Sequence, residues 1–100
     1  MELELLGNEP FWNVEIMRAG IVYRDPEHPS GIRFPYEIPS SVGTRLLFSS
    51  SRRDSTPRTI RLAVEERDCS DGMSDRRFRY ASEVRLDSLD LHGCGHFRPR

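Results

Sequence analysis

Arg58-Thr59-Ile60-Arg61-Leu62-Ala63-Val64-Glu65-Glu66 decides the fold. Ile60, Leu62 and Val64 take alternate positions with Arg61 and Glu65 facing the other way, the period of two that gives a strand one buried face. Phe78 to Leu86 repeats it, with Phe78, Tyr80, Val84 and Leu86 on one side and Arg79, Glu83 and Arg85 on the other. Phe11 to Met17 alternates Trp12, Val14 and Ile16 against Asn13 and Glu15. Arg18-Ala19-Gly20 then turns the chain into Ile21 to Arg24, the second arm of a hairpin.

Thr44 to Ser49 reads as another strand, followed by a polar turn through residues 50–55, and Asp87-Ser88 reverses the chain into Leu89 to Gly93. Between Asp25 and Gly43 stand Pro26, Pro29, Pro35 and Pro39, too many for a central strand or a helix, so this is a connection with a short edge strand around Ile32 to Ile38. No window holds an apolar period of 3.6 residues that competes with these alternations. The fold class expected is all-β: a small antiparallel, partly open β-barrel of six to seven strands, closure being an economical way to guard sheet edges.

One hundred residues at 36% hydrophobic can bury one modest core, so residues 1–100 form a single domain. Charged residues make up 31% and nearly cancel at a net −1, which disfavours a nucleic-acid partner. All 15 cationic side chains are Arg, giving many forks able to bind bidentately. No run approaches the roughly eighteen apolar residues of a membrane helix, and the N-terminus lacks a signal peptide's basic and apolar regions, so a soluble chain is expected. Any membrane attachment would be through a lipid anchor absent from this chain.

Cys69-Ser70-Asp71-Gly72-Met73-Ser74-Asp75 and the later Gly93-Cys94-Gly95 carry the strongest local chemistry. The two cysteines follow strands whose ends can be neighbours in an antiparallel sheet. A disulfide across the 24 intervening residues would stabilise the fold by about 3 kcal/mol and places the chain in an oxidising compartment. The alternative is a metal site of Cys69, His92, Cys94 and His96, a donor set suited to zinc or copper. Its H-x-C-x-H spacing lacks the two-to-four-residue loop typical of structural zinc ligands, so the disulfide is preferred and no cofactor is expected.

Asp68, Asp71 and Asp75 invite a calcium reading, but the EF-hand register is absent. Asp71-Gly72 reads instead as a turn with Gly72 at positive φ, and Asp75 as accepting backbone amides or pairing with Arg76 or Arg77. His28 reads as a solvated loop residue. In Gly7-Asn8-Glu9-Pro10-Phe11-Trp12, Trp12 either plugs one end of the barrel or, with Glu9, forms the floor and polar handle of a ligand pocket. The serines lie in turns with no G-x-S-x-G elbow, and neither Glu65 with Glu66 nor Glu9 with Asp71 has a separation set by sequence. An enzyme is therefore not expected.

Together the Gly7 to Trp12, Cys69 to Asp75 and Gly93 to Cys94 to Gly95 motifs resemble an uncharacterised family of bacterial exported proteins and lipoproteins, often associated with META (HslJ-like) domains. The resemblance spans about residues 7 to 95 and implies a periplasmic or cell-envelope setting and a compact β-rich domain, with no activity or substrate attached. The chain departs from the family in lacking the signal and lipobox, and in having Phe78-Arg79-Tyr80 where a proline is expected near the tyrosine. The function expected is a non-enzymatic envelope domain binding a partner or small ligand through Glu9, Trp12, Asp71, Met73 and Asp75. An envelope-stress or lysozyme-inhibitor-like protein and a metal-handling protein are the alternatives.

Overall fold

The computed structural model describes residues 2–8, 10–54, 56–70, 72 and 75–99. They form one antiparallel sheet of β1 (Glu2–Asn8), β2 (Phe11–Met17), β3 (Gly20–Asp25), β4 (His28–Phe34), β5 (Ser40–Val42), β6 (Arg45–Arg52), β7 (Arg58–Ser70), β8 (Arg77–Leu86) and β9 (Leu89–Arg98). Across the sheet the order is β4-β3-β2-β1-β9-β8-β7-β6-β5. Two runs of hairpins are thus joined in the middle by β1 against β9, with Glu2 opposite Arg98 and Leu6 opposite Cys94. The sheet curls into an open half-barrel. Across its gap the Ser50 hydroxyl donates to the Pro35 carbonyl at 2.5 Å.

The all-β, partly open barrel is what the alternation predicts, but the described strands number nine rather than six or seven. β1 alternates Leu3 and Leu5 inward, yet the doubled Leu5-Leu6 and then Gly7 blur its period. β5 is three exposed residues that read as a serine-rich loop. β4 tolerates Pro29 because it is an edge strand, paired with β3 alone. β6 runs on through Ser50 and Ser51 to Arg52 opposite Arg58, where a polar turn was expected.

The inward residues of β1 to β4 and β6 to β9 form the core, around Leu5, Trp12, Val14, Ile21, Ile60 and Val84. Trp12 is 1% exposed and lies across a slot of small residues. A Cβ on Gly7 would fall 2.2 Å from Trp12 Nε1, and one on Gly93 would fall 2.8 Å from Trp12 Cζ2. Ser82, opposite Gly93 on β8, continues the slot and is buried, its hydroxyl donating to the Cys94 carbonyl at 2.9 Å. Gly7 and Gly93 are therefore matched to one indole. This corrects the expectation that Trp12 belongs to a ligand or partner surface.

The opposite face of β1, β2 and β9 is ionic. Glu15 accepts from Arg24 and, at 2.6 Å, from Arg98, which also reaches Glu2 at 2.9 Å. Glu4 accepts from Asn13 at 2.5 Å and lies 2.9 Å from His96 Nε2. The bonds from Arg24 and then Arg98 outweigh partial burial and hold Glu15 below its ordinary value of 4.5. A depressed carboxyl stabilises the fold above its unfolded pKa and loses that contribution as pH falls through its folded value. The gap in melting temperature between the parent and Glu15→Gln is thus expected to be widest near neutrality and to shrink below about pH 4.5; a gap that stays constant down to pH 3 would refute this role for Glu15.

Candidate functional site

The Cys69 and Cys94 sulfurs are bonded, their Cα atoms 5.7 Å apart. β8 lies between the strands they belong to, and a bulge makes the connection reachable. Glu66 stands opposite Tyr80 but Cys69 stands opposite Phe78, three residues of β7 against two of β8. The extra residue bends the end of β7 over its neighbour. Cys69 is consequently inside a strand rather than past its end, and Cys94 is 1% exposed beneath it.

This bond takes both thiols of the alternative metal set. His96 is bonded to Glu4 and His92 is exposed, so the four donors form no metal cluster among the described residues. Gly72 has the expected positive φ of 76°. Asp75 is exposed, and Arg77 pairs with Asp68 rather than with Asp75. Glu9, Asp71 and Met73 lie outside the described residues. Glu65 accepts from Thr44 at 3.3 Å and Glu66 from Arg79 at 2.9 Å, so each has its own partner.

His28 is half-buried rather than a solvated loop residue. Asp25 Oδ1 accepts the backbone N–H groups of Glu27 and His28 and lies 2.9 Å from His28 Nδ1, while Oδ2 accepts from the Tyr23 hydroxyl at 2.7 Å. Burial opposes the charge on Asp25, but the Tyr23 and His28 bonds outweigh it and keep the carboxyl below its ordinary 3.8. Burial, then the bond to Asp25, pushes the Tyr23 hydroxyl up. A cavity of about 460 Å³ opens here, edged by exposed Phe11 and Leu89. The network closes the β3–β4 hairpin: one carboxylate satisfies the turn's amides and fixes the two rings beside it.

A larger cavity, about 670 Å³, lies on the outer face of β6 to β9. Register builds it, because residues directly opposite one another share a face. One row across the four strands is Leu47, Ala63, Glu83 and His92; the next is Ser49, Arg61, Arg85 and Asp90. A third row, Arg45, Glu65, Ala81 and Cys94, brings the face to the disulfide, where a small cavity of about 110 Å³ continues it. Leu47 and Ala63 give the trough an apolar floor. The Arg85 guanidinium reaches both oxygens of Asp90 at 3.0 Å, and Arg45 faces Glu83 at 3.8 Å.

The alternation of β7 and β8 in the sequence turns Arg61, Glu83 and Arg85 outward, as found. Nothing in it shows that four strands' outward residues line one cavity, since that depends on curvature and on register between strands distant in the chain. No family model, no curated protein and no solved structure matches this chain.

Proposed function

We propose that this protein is a non-enzymatic binding domain of the bacterial cell envelope that holds a small ligand, or a short segment of a partner, in the trough on the outer face of β6 to β9. The observation that carries the reading is the trough itself: about 670 Å³, within the range of ligand pockets, with an apolar floor and a few polar groups arrayed by strand register. Its carboxylates face arginines, Asp90 with Arg85 and Glu83 with Arg45. That pattern suits recognition better than acid-base chemistry, which calls for carboxyls with environments that drive their pKa values apart. The Cys69–Cys94 bond, at the end of the same face, supports an oxidising compartment and with it the envelope setting implied by the motif resemblance.

The test uses a mixture of small fragments and backbone amide shifts. Shifts are expected to cluster on Leu47, Arg61, Ala63, Glu83 and His92. Ala63→Trp places an indole on the half-buried central position of the floor without entering the main core, and should abolish those shifts while the protein's own dispersion is kept. Shifts that map to the Phe11–Leu89 end, or that survive in Ala63→Trp, would remove the trough as the site.

A further inference from the structure

Within the second row of the trough, Arg61 and Arg85 stand directly opposite each other on β7 and β8. Like charges in that relation are destabilising, so the arrangement has a cost unless something negative lies between them. Asp90 answers only Arg85, through a single guanidinium nitrogen. Arg61 is exposed, and it makes no ion pair or hydrogen bond with any of the described residues.

The surroundings of this pair are hydroxyl-rich. Ser49 is opposite Arg61 on β6, and Ser51 is opposite Thr59 one row further on. Ser49, Ser51, Thr59, Arg61, Arg85 and Asp87 line a cavity of about 250 Å³ that shares Ser49, Arg61 and Arg85 with the trough. Asp87, its acidic wall, is committed elsewhere: Oδ1 accepts the Thr59 N–H at 3.0 Å and Oδ2 accepts from Arg58 Nε at 2.9 Å.

From this geometry we infer that the Arg61–Arg85 pair is the anion subsite of the trough and that it takes a phosphate monoester whose apolar body lies on Leu47 and Ala63. Guanidinium forks match phosphate oxygens bidentately. Two forks and three hydroxyls exceed what the two oxygens of a carboxylate can use, whereas a phosphate offers three terminal oxygens in a tetrahedral arrangement. An apolar body attached to the phosphate reaches the floor because the floor row and the Arg61 row are adjacent on the same strands. The inference rests on the trough being the binding site.

Phenyl phosphate, inorganic phosphate, benzoate and phenol, titrated at constant ionic strength and followed by amide and arginine Nε shifts, test it. Phenyl phosphate is expected to saturate with a dissociation constant on the order of millimolar, tighter than inorganic phosphate, benzoate or phenol. Arg61→Gln should weaken phenyl phosphate by about tenfold and leave phenol unchanged. Without ligand this variant should be as stable as the parent or more so, because it relieves a like-charge opposition. Phenyl phosphate that binds Arg61→Gln as tightly as the parent would overturn the subsite and leave the trough standing. Benzoate binding as tightly as phenyl phosphate would overturn the choice of a tetrahedral anion. Failure of both phenol and phenyl phosphate to perturb Leu47 or Ala63 would overturn this inference together with the reading beneath it.

Discussion

Gly93→Ala is expected to melt about 15 °C below the parent, a loss of about 3 kcal/mol. The added methyl would lie 2.0 Å from the Leu6 carbonyl oxygen and 2.8 Å from its carbonyl carbon. Side chains can rotate away from such an intrusion, but Leu6 belongs to the strand held between β2 and β9, and its main chain cannot move without opening the middle of the sheet. Gly7→Ala makes the informative comparison. Its nearest obstacle is the Trp12 side chain at 2.2 Å, so a second change of Trp12 to leucine should recover part of what Gly7→Ala loses. The same second change should recover much less in Gly93→Ala, where Trp12 Cζ2 at 2.8 Å is the lesser obstacle and the Leu6 carbonyl stays in place. Equal rescue of both, or a Gly93→Ala melting within 3 °C of the parent by calorimetry, would show that the slot is not rigid in the way described.

The second large effect concerns the disulfide. Removal of both sulfurs, as in Cys69→Ser with Cys94→Ala, frees a loop with a sequence separation of 25 and should cost about 3 kcal/mol through the unfolded chain. At the slope usual for a domain of this size, the urea midpoint then falls by about 2 M. The loss has a local face as well. Beyond the bulge the end of β7 is paired only at Cys69 with Phe78 and Ser70 with Arg77, so amide exchange there should quicken more than in Ile60 to Val64. A midpoint that barely moves under reduction would mean that β7 is held over β8 by its backbone pairing alone.

Both effects arise from residues that stood out in the sequence, although the sequence did not show why. β2 was legible to the residue because Trp12, Val14 and Ile16 alternate without interruption, and the inward face of β7 was legible for the same reason. β1 was missed where Leu6 turns outward, opposite Cys94, and makes two adjacent leucines look like noise in a period of two. Cys69 sat among Asp, Ser and Gly, a composition that signals turns, yet it lies in β7 because a bulge lets that strand run on past Glu66. The strand read from Leu89 was expected to stop at Gly93, but β9 continues to Arg98 because its far half pairs with β1 at the other end of the chain. The trough was beyond reach for another reason: Ser49, Arg61, Arg85 and Asp90 lie in one row only after three separate pairings set their registers, and each strand taken alone shows no more than a polar outer face.

The pairing of β1 with β9 also governs how the domain can be tethered. With Glu2 beside Arg98, a segment entering at residue 2 and one leaving after residue 98 share a single corner of the sheet. Asp90, in the wall of the trough, sits on β9 eight residues before that corner, roughly 26 Å away at the rise of a strand. A tether at either terminus, or at both, is thereby kept apart from the mouth of the trough, which is left facing outward to whatever it meets.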